Sequence, residues 1–354
     1  MSIMAEVYDV IIIGGGQSGL ACAYYLRRTG LNYLVLDEQE TCGGAWLQTW
    51  DSLRLFSPAD HSSLPGWLMP KNENGFPPKD HVINYLCKYE ERYEIPVKRP
   101  VKVENVEKES GVFKIKTSAG EFSAKAVISA TGTWKAPFTP KIQGIDIFRG
   151  KQIHSAHYKN ANNVEGKNVL IIGEGNSGAQ ILAEVSKVAK TSWATLNAPE
   201  YLPDNVDGRV LFNVATAKYK AEKEGKKFNP AQYSLGNIVM VPTVKDARER
   251  GVLQSNGSFI EFTETGVIWE NGTKEDFDAV IWCTGFHYAT SHLNKIVEPD
   301  SKGKIKTAGT KADNIDGLWL VGYGGWTGYA SATLIGVGRS ARETVKEITE
   351  FLKE

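Results

Sequence analysis

Val10-Ile11-Ile12-Ile13-Gly14-Gly15-Gly16-Gln17-Ser18-Gly19-Leu20 begins as an apolar run, stops on glycines and restarts as a helix-forming segment. A short apolar run bounded by glycine is the pattern of a strand buried on both faces, here Tyr8 to Ile13. Gly14 to Gly19 make a tight turn, and Leu20 to Arg28 read as a helix ended by Thr29-Gly30. A second strand, Tyr33 to Leu36, completes a βαβ unit closed by Asp37, 18 residues beyond Gly19. In such a unit one glycine makes the turn, one lets the backbone approach a pyrophosphate, and one lets the helix pack on the strand. The helix N-terminus then faces the phosphates, and the carboxylate accepts hydrogen bonds from a ribose diol. A dinucleotide site follows.

The pattern recurs. Asn168 to Ile172 is a strand, Gly173-Glu174-Gly175-Asn176-Ser177-Gly178 a second glycine turn, Ala179 to Val188 a helix and Ser192 to Leu196 the next strand. This second strand ends at Leu196-Asn197 without a carboxylate for a ribose, and without an arginine or lysine for a 2′-phosphate. A glycine turn kept only for packing is the alternative there. The expected fold class is α/β, with two Rossmann-like dinucleotide-binding domains, the second inserted into the first. Residues 1–133 and 286–354 form the first, discontinuous domain and 134–285 the inserted one; the resemblance described below makes these the FAD and NAD(P)H domains. The crossings between them are expected at two strands ending in Thr-Gly, at Thr131-Gly132 and Thr284-Gly285.

Around these units, His81 to Tyr93 reads as a helix, and Val101 to Val106, Val112 to Lys116 and Phe122 to Ala124 as a meander. Val127 to Ala130 returns to the first sheet. Hairpins are signalled at Thr265-Gly266 and Asn271-Gly272, ahead of strands Ala279 to Trp282 and Leu318 to Gly322, and helical periodicity runs from Tyr329 to Leu352. Between Ala215 and Val241, Lys218, Lys220, Lys223, Lys226 and Lys227 alternate with Glu222 and Glu224, as on a solvated helix face; a flap over a substrate site is the alternative.

Composition narrows the function. The 354 residues suit about two domains, and 42% apolar with 23% charged residues is ordinary for a globular protein. A formal net charge of zero gives no steering toward nucleic acid or anionic lipid. Neither the N-terminus nor any other segment has the length of a signal peptide or bilayer span. Cys22, Cys42, Cys87 and Cys283 form no C-x-x-C pair, so no zinc site or redox dithiol is expected, and a cytoplasmic location fits best. His61, His81, His157, His287 and His292 have no ligand spacing, and His154 alone reads as a structural histidine; no metal is expected.

The two glycine turns, the linker Ala130-Thr131-Gly132-Thr133 and the spacing Phe148-x-Gly150-x-x-x-His154-x-x-x-Tyr158 together resemble the class B flavoprotein monooxygenases. Lys159 after Tyr158, where Baeyer-Villiger members usually place proline, looks more like the bacterial flavin-containing monooxygenases. The resemblance covers most of the chain. It implies that Gly14, Gly16, Gln17, Ser18 and Gly19 hold the FAD diphosphate, that Asp37 and Glu38 serve its ribose, and that Gly44, Ala45 and Trp46 line the flavin side. Val103, Thr131, Gly132, Gly322, Trp326 and Thr327 would complete the FAD site. Gly173, Gly175, Asn176, Ser177, Gly178 and Asn197 would take NADPH or NADH, with Phe148, Gly150, His154 and Tyr158 as supporting residues.

By the same resemblance the enzyme would transfer hydride from NAD(P)H to flavin, add O2 at C4a, and oxygenate thioethers, amines or ketones through the (hydro)peroxyflavin. Family members place an asparagine near the flavin where Phe56 and Ser57 stand here, so these two are the flavin-proximal candidates. The partners expected are a small-molecule substrate and O2, with no nucleic acid and no membrane, and a homodimer is the assembly to consider. The rivals are a flavin disulfide reductase or NAD(P)H oxidase, and a non-enzymatic flavin redox sensor.

The missing arginine at Leu196-Asn197 generates a prediction. NADH should support turnover within about tenfold of NADPH, about 1.4 kcal/mol in transition-state free energy. Steady-state kcat/KM for the two cofactors checks it, and a hundredfold preference for NADPH would show a basic group reaching the site from elsewhere.

Overall fold

Both glycine-bounded apolar runs fold as central parallel strands in the computed structural model, which describes residues 6–226 and 237–353. In chain order the elements are β1 (Val7–Ile13), α1 (Gln17–Leu26), β2 (Tyr33–Leu36), α2 (Lys79–Arg92), β3 (Val97–Lys98), β4 (Val103–Glu109), β5 (Val112–Thr117) and β6 (Gly120–Ser129). Next come β7 (Lys151–His154), β8 (Asn168–Ile172), α3 (Asn176–Val185), β9 (Lys190–Ala194), α4 (Gly208–Lys223) and α5 (Pro242–Glu249). The chain continues through β10 (Phe259–Phe262), β11 (Gly266–Trp269), β12 (Lys274–Asp276) and β13 (Ala279–Trp282). It finishes with β14 (Thr307–Ala308), β15 (Lys311–Ala312), β16 (Leu318–Leu320) and α6 (Leu334–Phe351).

The chain divides into two units. The first comprises residues up to Leu47, Ser57–Ala136 and the stretch from His287 onward. Its sheet runs β14-β15-β16-β6-β1-β2-β3, with β4 and β5 attached through β6. Val10, Ile11 and Ile12 are fully buried, as a strand covered on both faces requires, and each such side chain contributes about 1.5–3 kcal/mol of burial. Helix α1 packs against α6, whose buried face Val337, Ala341, Val345 and Ile348 has the 3–4 spacing of an amphipathic helix. Thr333 caps α6 by accepting the Gly336 N–H at 3.1 Å, so the helix starts later than periodicity from Tyr329 suggested. The expected break between Phe122–Ala124 and Val127–Ala130 is absent. β6 is one strand whose N-terminal half pairs antiparallel with β5 while Ser123–Ser129 pairs parallel with β1.

The second unit holds a four-stranded parallel sheet, β7-β13-β8-β9, and a three-stranded antiparallel sheet, β10-β11-β12. Its residues are Pro137–Phe286 together with Gln48–Phe56, a segment the sequence scheme assigned to the FAD domain. The reason is packing and pairing: Trp50 is buried in the apolar cluster of Tyr158, Val164 and Val206, and the Asp51 N–H donates to the Lys159 carbonyl at 2.8 Å. The Asn160 amide also donates to the Asp51 carboxylate at 2.9 Å. The charged segment begins as α4, with Leu211 and Phe212 buried and Lys218 and Lys220 exposed, as on a solvated face. Lys227 and the rest of the stretch to residue 236 lie outside the described residues. No helix among the described residues is long and apolar enough to cross a membrane.

One expectation about cysteine is overturned. Cys42 and Cys87, 45 residues apart, form a disulfide with a Cα–Cα distance of 5.2 Å, because α2 carries Cys87 against the turn that follows β2. Spacing along the chain could not reveal it. Cys22 and Cys283 are free and buried, and burial pushes both thiols up. Closing a loop of this length removes up to about 4 kcal/mol of chain entropy from the unfolded state. Calorimetry should therefore find a lower melting temperature under reductant, and Cys87→Ser should melt at that lower temperature with or without reductant. Equal melting of oxidised and reduced protein contradicts a formed bridge.

Candidate functional site

Steric necessity explains the first glycine turn. Gly14 has φ +106°, and a Cβ there would lie 2.7 Å from the Ala130 carbonyl oxygen; a Cβ on Gly19 would lie 1.9 Å from that of Gly14. The helix thus meets the turn backbone to backbone, and a Cβ on Gly44 would come within 2.7 Å of the Gly16 Cα. Helix α1 starts with no capping side chain and no acid in its first turn. Its leading N–H groups and positive dipole end are left for an anion. Around the turn, the Gln17 amide donates to the Ala332 carbonyl at 2.8 Å and accepts from the Trp46 indole at 3.3 Å, while Ala45 is exposed. A Cβ on Gly322 would overlap Ser18 Oγ, so the end of β16 also presses on α1.

At the end of β2, Asp37 is buried and accepts a bond from Arg99 Nε at 2.7 Å. The same guanidinium makes two parallel bonds to Glu90 on α2, at 2.6 and 2.7 Å. Burial disfavours the Arg99 charge, but the two carboxylates outweigh it and hold the group protonated above its ordinary range. Asp37 therefore keeps a fixed orientation, directly under Gly15, where a Cβ would lie 2.7 Å from Oδ2. Glu38 is held separately by Lys135 at 3.1 Å, and Val103 stands half-buried at the start of β4.

A buried chain of hydroxyls joins β6 to the loop after β16. Thr131 donates its N–H to Tyr323 Oη at 3.3 Å and its hydroxyl to the Ala289 carbonyl at 2.7 Å. Thr131 Oγ1 must then accept from Tyr323, 2.7 Å away, so Tyr323 accepts from Ser129 at 2.5 Å and Ser129 from His292 Nε2 at 3.1 Å. Each hydroxyl has one proton, so the order is fixed. Burial pushes His292 down to about 4, which keeps it the neutral Nε2–H donor the chain needs. In the same loop Thr327 accepts the Tyr323 N–H at 3.0 Å, and the buried Trp326 Nε1 has no hydrogen-bond partner among the described residues.

The second turn repeats the first. A Cβ on Gly173 would lie 2.3 Å from the Cys283 carbonyl oxygen, and one on Gly178 would lie 2.1 Å from that of Gly173. Each fingerprint thus backs onto a strand ending in Thr-Gly, at Gly132 in the first unit and Gly285 in the second. Helix α3 also starts uncapped by a side chain and free of acid. The Asn176 side chain is committed elsewhere: it donates to the Asn237 carbonyl at 3.0 Å and accepts the Val239 N–H at 2.9 Å. Ser177 follows it in the first turn of α3. The end of β9 is not without an acid, as the sequence suggested. Glu174 reaches it, accepting the Leu196 N–H at 3.2 Å and the Asn197 amide at 3.1 Å.

The Phe148-to-Tyr158 signature is a packing clip in the second unit. Phe148 packs 5.4 Å from Phe262, and Gly150 leaves room for the Phe148 ring and the Asp278 carbonyl. Tyr158 donates to Glu184 on α3 at 2.8 Å. His154 accepts the Ala156 N–H at Nδ1, which puts its proton on Nε2, a buried atom with no partner in hydrogen-bonding geometry among the described residues. Burial holds His154 below the ordinary histidine range, partly offset by the Gly285 and Phe138 carbonyls of the crossing segments. Phe56 is partly buried, 5.9 Å from Phe212, and packs against the second unit's apolar cluster. Ser57 is hydrogen-bonded to Ser62 at 2.7 Å within the first unit.

Two Rossmann-type glycine turns in one chain define an oxidoreductase built for two dinucleotides. Residues 11–200 match the model of the pyridine nucleotide-disulphide oxidoreductases. The flavin-containing monooxygenase from Stenotrophomonas maltophilia is 46% identical, with a TM-score of 0.90, over 98% of this chain and 99% of that one. An uncharacterized oxidoreductase, CzcO, of Bacillus subtilis is 31% identical over 97% of this chain and 99% of its own length. Senecionine N-oxygenase of Tyria jacobaeae is 25% identical over 81% of this chain and 60% of its own length. The chain belongs to the pyridine nucleotide-disulphide oxidoreductase family and, within it, to the flavin-containing monooxygenases, which are NAD(P)H-dependent oxidoreductases.

The first unit fits an FAD. Its turn admits no side chain at Gly19 or Gly44, its helix N-terminus carries no side-chain cap, and the Trp326 indole N–H lacks an acceptor among the described residues. Gly14 to Gly19 would hold the diphosphate and Asp37 the ribose. Arg99 and Glu90, which no motif flagged, fix Asp37. Arg99→Lys keeps the charge and loses the fork, so FAD should dissociate about tenfold more readily, read as recovery of free-flavin fluorescence on dilution. Unchanged flavin retention in a folded variant contradicts the clamp.

Proposed function

We propose that the chain is an FAD-dependent monooxygenase that uses NADH or NADPH and O2 to oxygenate soft nucleophiles, by thioether sulfoxidation or amine N-oxidation, with Baeyer-Villiger oxidation of ketones as a further activity. The observation that carries this is the pair of uncapped, acid-free helix N-termini behind glycine turns, one in each unit. An FAD, when bound, accepts hydride from a nicotinamide and activates dioxygen. The protein's own work is to bind, orient and exclude water. Gly14 to Gly19 and Asp37 hold one dinucleotide and Gly173 to Gly178 the other, while the Tyr323 hydroxyl chain fixes the loop after β16. The N-oxygenase relative supports oxygen transfer to nitrogen.

A disulfide reductase is the second reading, favoured by the Cys42–Cys87 pair beside Gly43-Gly44. Oxygen uptake with NADH, a thioether and a strained cyclic ketone, with product analysis, separates the two. Monooxygenation predicts uptake stimulated by substrate, oxygenated product formed, and activity retained in Cys87→Ser. Anaerobic NADH oxidation driven only by a disulfide, and lost in Cys87→Ser, would replace this assignment with the reductase.

A further inference from the structure

We infer that Glu174 reads the 2′ position of the nicotinamide cofactor's adenosine and favours the ribose diol over a 2′-phosphate, a role that rests on the second turn holding that cofactor. The two units supply their own comparison. In the first, Gly14 N–H donates to Leu36 and the next residue is Asp37; in the second, Gly173 N–H donates to Ala194 and the next residue is Thr195. Thr195 thus stands where Asp37 stands, but it is buried and its hydroxyl is bonded to Ser255 at 2.6 Å. It is turned away from the task.

The carboxylate comes instead from the turn. Glu174 occupies the position of Gly15, and in the first unit that position must be glycine because a Cβ there would meet Asp37 Oδ2 at 2.7 Å. Where the strand end lacks an acid, the turn has room for one. Glu174 fills it, and its two oxygens hold the Leu196 N–H at 3.2 Å and the Asn197 amide at 3.1 Å. The acid has moved from strand end to turn and points at the same strand end. Each oxygen has a lone pair left for a ribose hydroxyl, which donates. A 2′-phosphate offers only acceptors and negative charge to the same group. Among the described residues no cation pairs with Glu174. Beside it the Leu196 side chain is 83% exposed, an apolar surface at the carboxyl end of β9, where an adenine would lie in this fold.

The test titrates FAD-loaded protein calorimetrically with ADP-ribose and with 2′-phospho-ADP-ribose, probes that carry no nicotinamide. The wild type should bind ADP-ribose more tightly. Glu174→Gln, which is isosteric, should shift the ratio of the two dissociation constants about tenfold toward the phosphorylated probe, and Glu174→Ala should shift it in the same direction. If both probes bind and neither substitution moves the ratio, Glu174 is not the reader. If neither probe binds the wild type while FAD is retained, the second turn is not a dinucleotide site, and the assignment beneath this inference fails with it.

Discussion

At each glycine turn a helix starts so close to the strand end that only a hydrogen fits between them. Gly19 lies against the Gly14 carbonyl and Gly178 against that of Gly173, in both cases at a separation a Cβ would violate by more than an ångström. That approach brings the helix N-terminus over the sheet edge, where its unpaired N–H groups and partial positive charge converge. Everything that defines the sites is arranged around it. The Thr-Gly strand ends press on Gly14 and Gly173 from the other side, and Gly44 and Gly322 close on the first turn from flanking segments.

With the phosphate end fixed by backbone, side chains are free to differ between the units, and they do. The first unit holds its acid by ionic order: the buried Asp37 and the part-buried Arg99 and Glu90 form an acid-base-acid bridge, and removing Arg99 would leave the Asp37 carboxylate without its cation. Among the described residues the second unit has no such clamp at the equivalent strand end, where a hydroxyl is paired with Ser255 and a turn glutamate accepts backbone and amide N–H bonds. Under the proposed function this difference suits an FAD held in the first unit and a nicotinamide cofactor that exchanges in the second.

The sequence made the repeated turns legible because periodicity, glycine spacing and Asp37 are local signals. It also carried the signature from Phe148 to Tyr158. What it did not carry depends on residues brought together from a distance. Arg99 is 62 positions from Asp37, Cys87 is 45 from Cys42, and Tyr323 is 194 from Ser129. Glu174 was visible as an acid inside the fingerprint, but its reach to Asn197 depends on β9 lying beside β8. The surroundings of Phe56 were hidden for a related reason: the Gln48–Phe56 segment leaves the unit on either side of it, with Trp50 packing near Tyr158 and Phe56 near Phe212.

In the proposed enzyme one chain binds a flavin and, separately, the nicotinamide cofactor that reduces it. The direct measurement is anaerobic titration of the purified protein with NADH, following visible flavin absorbance against flavin content per chain. One FAD per chain and complete bleaching by one equivalent of NADH are expected. Protein that carries FAD but stays oxidised with excess NADH and NADPH, without added mediator, would contradict it.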